Sequence, residues 1–398
     1  EINLAQMQAA VEDAPVVKLI NGILTDAVLK GASDIHIEPF EKEIRVRYRI
    51  DGALHEIMKP PMKMKAALTS RIKSLSALNI AERRVPQDGR IKLKMKSKVV
   101  DFRVSTLPVI FGEKIVLRIL DKGNLTFDLR NFGFEPAALE TFMSAILNPY
   151  GMVLVTGPTG SGKTTTLYSA LSKVNTEEVN IMTAEDPVEY NIYGINQVLV
   201  RNEIGMTFAA ALKAFLRQDP NIIMVGEIRD IETGGIAIKA ALTGHLVLST
   251  LHTNDAPSTV TRLIDMGLEP FNVAAALNCI TAQRLLRRIC KSCKTEHKYT
   301  DEYFDSAHIN AEERKKTYYK GKGCEACNGT GYKGRCGLYE VMGMTTELRR
   351  CIMRGASSDE LRDQALVDGM LTLRMDGLLK AQRGDTTLEE VIKETAAV

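Results

Sequence analysis

The rhythm of hydrophobic and polar positions changes twice along the chain. Over residues 44–50 it alternates strictly, with Arg45, Arg47 and Arg49 on one side and Ile44, Val46, Tyr48 and Ile50 on the other. A period of two predicts a half-buried strand. Asp51-Gly52 follows and predicts a tight turn into a second strand over residues 53–58. Residues 16–29 and 63–78 carry helical spacing, and residues 89–120 read as antiparallel strands that turn near Phe111-Gly112. These elements predict an α+β domain over residues 1–122. Turn formers then cluster at Gly123-Asn124, Arg130-Asn131 and Gly133, which predicts a linker over residues 123–136.

Beyond the linker the strands stop alternating. Residues 152–156, 179–183, 222–225 and 246–250 are short apolar runs bounded by Gly, Asp or His. Such runs suit strands buried on both faces, as in a parallel sheet flanked by helices. The fold class expected for residues 137–398 is therefore α/β. From Cys290 to Gly337 the texture turns to Cys, Lys and Gly, and residues 291–323 have little hydrophobic content of their own. Residues 340–398 return to helical patterns.

Composition narrows the function classes. The 398 residues are 25% charged and 45% hydrophobic, which excludes a disordered chain, a collagen and a small disulfide scaffold. No apolar run reaches 18 residues, so no membrane-spanning helix is expected. The net charge of +3 speaks against a nucleic-acid partner. The chain opens at Glu1 with Glu12 and Asp13 close behind, which is not a secretory signal. The missing initiator Met is expected of a fragment that lacks an N-terminal domain.

The chemistry begins at Gly157-Pro158-Thr159-Gly160-Ser161-Gly162-Lys163-Thr164, a full G-x-x-x-x-G-K-[ST] phosphate loop between a strand and a helix that opens at Thr165. Its glycines let backbone N–H groups close on phosphate oxygens at the positive end of that helix. Lys163 is expected on the β- and γ-phosphates of ATP, and Thr164 on Mg²⁺. Two apolar strands deliver acids to the same edge. Glu227 follows one and is expected to serve Mg²⁺. Glu185, Asp186 and Glu189 follow the other, with Glu185 a candidate to polarise water and Asp186 and Glu189 candidates for the metal shell. His245 and His252 bracket a further strand; His252 is a candidate γ-phosphate sensor and His245 a weaker one.

Seven cysteines are an odd number for a disulfide framework, but four form two C-x-x-C pairs, Cys290/Cys293 and Cys324/Cys327. Four thiolates suit tetrahedral Zn²⁺ with no open position, so a structural zinc module over residues 290–327 is expected. Cys279, Cys336 and Cys351 remain as inert thiols. ATPases that work as rings often receive an arginine from another domain or subunit. Arg103 and Arg118, on predicted strands of the front domain, are the candidates; Arg49 and Arg90 are weaker ones.

The motifs in order resemble the type II/type IV secretion ATPase superfamily. Residues 157–164 resemble its Walker A motif, 184–189 its Asp box, 226–230 its Walker B motif and 244–255 its His box. Ser33-Asp34-Ile35-His36-Ile37-Glu38-Pro39, residues 47–52 and residues 85–90 resemble its second N-terminal domain. The likeness runs from about residue 15 to the C-terminus. It implies a RecA-like P-loop core preceded by a PAS-like α+β domain, with a zinc insertion and a helical tail. It also implies a homohexameric ATPase at the cytoplasmic face of the inner membrane that works on a platform protein. The tetracysteine element is similar to that of the pilus-extension and type II secretion branches and is absent from retraction ATPases; residues 369–377 and 386–391 are more similar to the pilus-extension branch. In this family Glu185 is expected as the general base, Glu227 as the Mg²⁺-side acid, and Arg103 and Arg118 as arginines that reach toward a nucleotide. A type II secretion ATPase, a RecA-like DNA translocase and a nucleotide-gated scaffold are the alternatives.

Overall fold

The computed structural model describes residues 2–3, 15–95, 98–120 and 128–395. The chain divides into two compact units, Glu1–Thr126 and Phe127–Val398. Gly123-Asn124 of the expected linker lies outside the described residues.

The first unit is a seven-stranded sheet. Its strands are β1 (Ile2–Asn3), β2 (Ala32–Pro39), β3 (Ile44–Ile50), β4 (Ala53–Met58), β5 (Gln87–Met95), β6 (Lys98–Val109) and β7 (Gly112–Leu120), in the order β1-β5-β6-β7-β2-β3-β4. The alternation in β3 does what it predicts: Ile44, Val46 and Tyr48 are buried and the arginines between them are not. Asp51 and Gly52 both have positive φ, 50° and 88°, the conformation that a two-residue hairpin turn requires. The helices Pro15–Leu29 and Lys65–Leu75 close one core with Ile35, Tyr48, Phe102 and Leu117. Inside it, Lys73 Nζ lies 2.6 Å from Glu113 Oε1 and donates to the Glu82 carbonyl, with both side chains almost wholly buried.

The second unit is doubly wound. Its strands β8 (Gly151–Thr156), β9 (Ile181–Glu185), β10 (Ile195–Leu199), β11 (Ile222–Val225), β12 (Leu246–Leu251) and β13 (Leu277–Ile289) run parallel in the order β10-β9-β11-β12-β8-β13. The hairpin β14 (Lys294–His297) and β15 (Tyr318–Gly321) stands apart as a two-stranded sheet. β16 (Tyr332–Gly343) returns antiparallel along β13 at the sheet edge. Every residue of β8, β11 and β12 is buried, which explains their lack of alternation. The helices Pro136–Ile146 and Lys163–Val174 share a core with one face. Those at Ile231–Leu242, Ala256–Asp265 and Pro270–Ala276, with the C-terminal helices, share the core on the other. Among the described residues no helix is long and apolar enough to cross a membrane.

Residues 291–323 have little hydrophobic content, but what they have is packed. Phe304, Ala307, Ile309 and Tyr318 join the main core of the unit, and the Tyr299 ring stacks on Tyr303 at 4.8 Å. These positions are few and widely spaced, so a window reading sees only the lysines between them.

Breaking a buried ion pair on one side strands the other charge in apolar surroundings. Lys73→Met is expected to lower the stability of the first unit by about 3–5 kcal/mol. Combining it with Glu113→Leu should recover most of that loss, as thermal melting of the three chains will show.

Candidate nucleotide and metal sites

The phosphate loop leaves β8 at Thr156 and turns back through three residues of positive φ: Gly157 at 146°, Gly160 at 81° and Gly162 at 88°. A Cβ on Gly157 would lie 2.5 Å from the Gln283 carbonyl oxygen, so that position requires glycine. Gly162 is the N-cap of the helix Lys163–Val174, whose first N–H groups are left for an anion. Pro158, Thr159, Gly160 and Thr164 are exposed on the outer side of the loop, and Thr165 is half-buried. Ser161 is 3% exposed, and its Oγ is buried without a hydrogen-bond partner. A buried hydroxyl left unpaired inside a glycine cradle fits a phosphate oxygen.

Lys163 Nζ turns back on the loop and donates to the carbonyls of Gly157, at 2.7 Å, and Pro158, at 2.9 Å. Burial lowers its pKa to about 8; Glu227 opposes that shift and Arg284 adds to it. Glu227 stands two residues past β11, with its Oε2 3.3 Å from His252 Nε2 and its Oε1 bound by Arg229. Burial pushes the Glu227 carboxyl up, but Arg229 and His252 outweigh it and hold it below the usual range. Lys163, Glu227, Arg229 and His252 are thus charge-coupled at the carboxyl edge of the sheet, where parallel α/β sheets bind ligands.

Glu185 ends β9 and is buried. Its Oε1 accepts from the Tyr168 hydroxyl, and its Oε2 from Thr183 Oγ1 at 2.7 Å and Gln197 Nε2 at 3.0 Å. Asp186 is exposed beyond it and Glu189 half-buried; the Glu189 N–H points at the Tyr168 oxygen, 3.3 Å away. His245 is corrected. It precedes β12, its carbonyl accepts from Gly151 N at the start of β8, and its Nδ1 sits 3.0 Å from the Ala240 carbonyl. At about 3.3 Å per strand residue, the length of β12 separates it from the nucleotide edge by roughly 20 Å. The motif spacing already put the two histidines at opposite ends of one strand; the direction of β12 in the sheet tells which end meets the phosphate loop.

In the first unit the register places four arginines in one row. Arg90 faces Arg103, Arg103 faces Arg118, Arg118 faces Asp34, and Asp34 faces Arg49. Arg118 Nε is 2.9 Å from Asp34 Oδ1 and Arg49 Nε is 3.8 Å from its Oδ2. Like charges directly opposite on a sheet are destabilising, so the row suits an anion brought to it.

The four cysteines converge although 34 residues separate the members of each pair Cys290/Cys324 and Cys293/Cys327. Their sulfurs lie within 4.8 Å of one another. The Sγ–Sγ separations are 3.8 Å for Cys290–Cys324, 3.9 Å for Cys293–Cys327 and 3.7 Å for Cys324–Cys327. A tetrahedron with Zn–S of about 2.3 Å has edges of about 3.8 Å, so the set fits Zn²⁺. The N–H groups of Cys324 and Gly331 each lie 3.2 Å from Cys327 Sγ, as outer hydrogen bonds to a ligating thiolate would. Cys279, Cys336 and Cys351 are buried and free.

Sequence reasoning missed four residues around the cradle: Tyr168, Arg229, Gln283 and Arg284. A polar pair inside an otherwise buried strand, Gln283-Arg284, was the available signal.

A glycine cradle at the carboxyl edge of a doubly wound sheet, with an acid at a neighbouring strand end, defines a P-loop nucleoside-triphosphate-binding protein. The chain belongs to the type II/IV secretion system protein family, which it matches over residues 9–393. It is 58% identical over 397 residues to the type IV pilus assembly ATPase PilB of Myxococcus xanthus, covering 99% of this chain and 70% of that protein. It is 50% identical over 384 residues to the type II secretion system protein HxcR of Pseudomonas aeruginosa, covering 96% and 78%. The crystal structure of the pilus retraction motor PilT with bound ADP superposes with a TM-score of 0.64 at 26% identity, over 95% of this chain and 97% of that one.

Two measurements test these sites. A bound phosphate should restore the Lys163 pKa from about 8 toward the ordinary lysine value. Nucleotide binding should therefore take up a proton near pH 8.5. Affinity should fall up to about tenfold per pH unit above about 8, and Lys163→Gln should abolish that pH dependence in an equilibrium titration. Metal analysis should find about one zinc per chain. Cys324→Ser should lose the zinc and lower the melting temperature without removing nucleotide binding.

Proposed function

We propose that this chain is the motor subunit of a type IV pilus assembly machine and converts ATP hydrolysis into work on an inner-membrane platform protein. The observation that carries the reading is the preformed cradle, in which a partnerless buried Ser161 hydroxyl and a Lys163 amine of lowered pKa await an anion. The high identity to a pilus assembly ATPase across nearly the whole chain supports the choice of machine. The 50% identity to HxcR makes a type II secretion motor the second reading.

Gly157, Pro158, Thr159, Gly160, Ser161, Gly162, Lys163, Thr164 and Thr165 would hold the phosphates, and Thr164 with Glu227 would hold Mg²⁺. His252, paired to Glu227, would report the γ-phosphate. Glu185 would activate water. A carboxylate has about four acceptor positions, and the three donors on Glu185 leave one for the proton of water. Arg103 and Arg118 would serve a nucleotide brought to their row in a homohexamer. The metal supplies charge neutralisation between the phosphates; the chain supplies position and polarity. Asp186 and Glu189 would complete the metal's outer shell. The four cysteines would hold a structural zinc. The motor would work in the cytoplasm, against the inner membrane.

Phosphate release from the purified chain tests the activity and the two acids together. Glu185→Gln should keep Mg²⁺-dependent nucleotide binding and lose at least about 100-fold in turnover. Glu227→Gln should instead raise the Mg²⁺ concentration required. Turnover of Glu185→Gln near the unmodified rate would remove Glu185 from the chemistry.

A further inference from the structure

The register between β8 and β13 pairs Ala282 with Thr156, the last residue before the phosphate loop. Gln283 is therefore the first residue of β13 to pass beyond the end of β8, and it comes to lie against the loop itself. It is 1% exposed, in a strand whose neighbours Ile280, Ala282 and Leu286 are core residues. A glutamine there costs free energy unless both ends of its amide are satisfied, and both are. Nε2 donates to the Ser161 carbonyl at 2.5 Å, and Oε1 accepts from Thr166 Oγ1 at 2.8 Å. The Ser161 carbonyl can only accept, so it fixes which way the amide is turned: Nε2 is presented to the loop, and the Thr166 hydroxyl donates to the other end.

The bond to Ser161 O has a consequence on the far side of the same peptide. In a trans peptide the C=O and the following N–H point in opposite directions. Holding the Ser161 carbonyl toward β13 makes the Gly162 N–H point away from β13, to the open side of the loop. That N–H is among the first of the helix Lys163–Val174. The peptide before a glycine is also the easiest to flip, because glycine takes either sign of φ at little cost. Gly162 sits at φ 88°, and a Cβ added to it would meet Gln283 Nε2 at 3.1 Å. The side chain thus packs against the residue whose orientation it sets.

We propose that Gln283 is a positioning residue for the nucleotide phosphates, which locks the Ser161–Gly162 peptide so that the Gly162 N–H is preorganised as an anion donor. It acts through the loop and touches no phosphate. Its effect falls on ground-state and transition-state binding alike, so it belongs in KM rather than kcat.

The proposal rests on the reading of residues 157–164 as the nucleotide site. Equilibrium titration with a fluorescent ADP analogue, and competition by inorganic tripolyphosphate, test the two separately. If the unmodified chain binds neither, the nucleotide reading itself is wrong. If it binds both, Gln283→Leu, which keeps the volume and loses both hydrogen bonds, is expected to weaken both on the order of tenfold. Steady-state KM for ATP should rise in step, with kcat within about twofold. Gln283→Glu should do the same: its carboxylate still accepts from Thr166 but repels the Ser161 carbonyl. Thr166→Val, which leaves Oε1 without its donor and loosens the amide, should weaken ADP about threefold. Zinc content and melting temperature check each fold, and if the leucine variant does not fold, the glutamate and Thr166 variants decide. ADP and tripolyphosphate affinities within twofold of the unmodified chain would overturn the proposal. So would a fall in kcat at unchanged KM.

Discussion

Everything in the second unit hangs on the burial of both faces of its parallel sheet. A strand with helices on either side cannot alternate, so β8, β11 and β12 are buried throughout, the hydroxyls of Thr156, Ser249 and Thr250 are taken up by backbone carbonyls, and charged groups stand only at the strand ends. Parallel pairing then delivers those ends to one edge. The phosphate loop, Glu185, Glu227 and His252 come from four different strands, and only the common direction of those strands assembles them. The strand order matters as much as the direction. β8 lies between β12 and β13, so the loop that leaves it is flanked on one side by the strand of His252 and on the other by Gln283 and Arg284.

The same edge concentrates groups that folding alone would not choose. Lys163 is desolvated, Ser161 Oγ is buried without a partner, and Arg284, 7% exposed, donates to the carbonyls of Gln283 and Asn254 beside the loop. In the first unit the sheet sets Arg90, Arg103 and Arg118 across from one another with Asp34 as the acid in the row. Each arrangement is unfavourable in isolation and is relieved by negative charge. Buried structural pairs in the same chain are handled differently. Lys380 meets Asp376 at 2.6 Å and also donates to the Gly337 carbonyl, while Asp376 accepts from Tyr339 N, so that pair caps the open edge of β16.

How much of this was legible follows from what a sequence encodes locally. The phosphate loop was readable because its glycines and lysine are contiguous and each has a fixed geometric duty. β3 and its turn were readable from a period of two and Asp51-Gly52. The tetracysteine was readable from paired spacing, because four thiolates in two C-x-x-C units imply one tetrahedral site. His245 and His252 were legible as the two ends of one strand, but which end meets the phosphate loop depends on the strand's direction in the sheet. The arginine row was hidden for a related reason: register between strands, which puts Arg90 opposite Arg103, is a property of pairing and not of any one segment. The aromatic packing of residues 299–318 was hidden because its members are far apart and meet only in three dimensions.

β13 joins these threads. Its Gln283 grips the phosphate loop, and the residue after its last, Ile289, is Cys290. Between them the pairing with β16 shifts register at Arg287/Ile289, and a bulge of that kind bends a strand and ends its regular ladder. Arg287 is anchored at that point to Glu390 of the helix Leu388–Glu394, and Ile289 N–H to the Asp385 carbonyl. The strand that clasps the loop is therefore anchored at its far end to the C-terminal helices, and it runs on into the first of the four clustered cysteines. A clasp can orient a peptide plane only if its own backbone is held. For β13 that hold comes from Arg287 on Glu390 and from the Ile289 N–H on the Asp385 carbonyl, both beyond the reach of the phosphate loop.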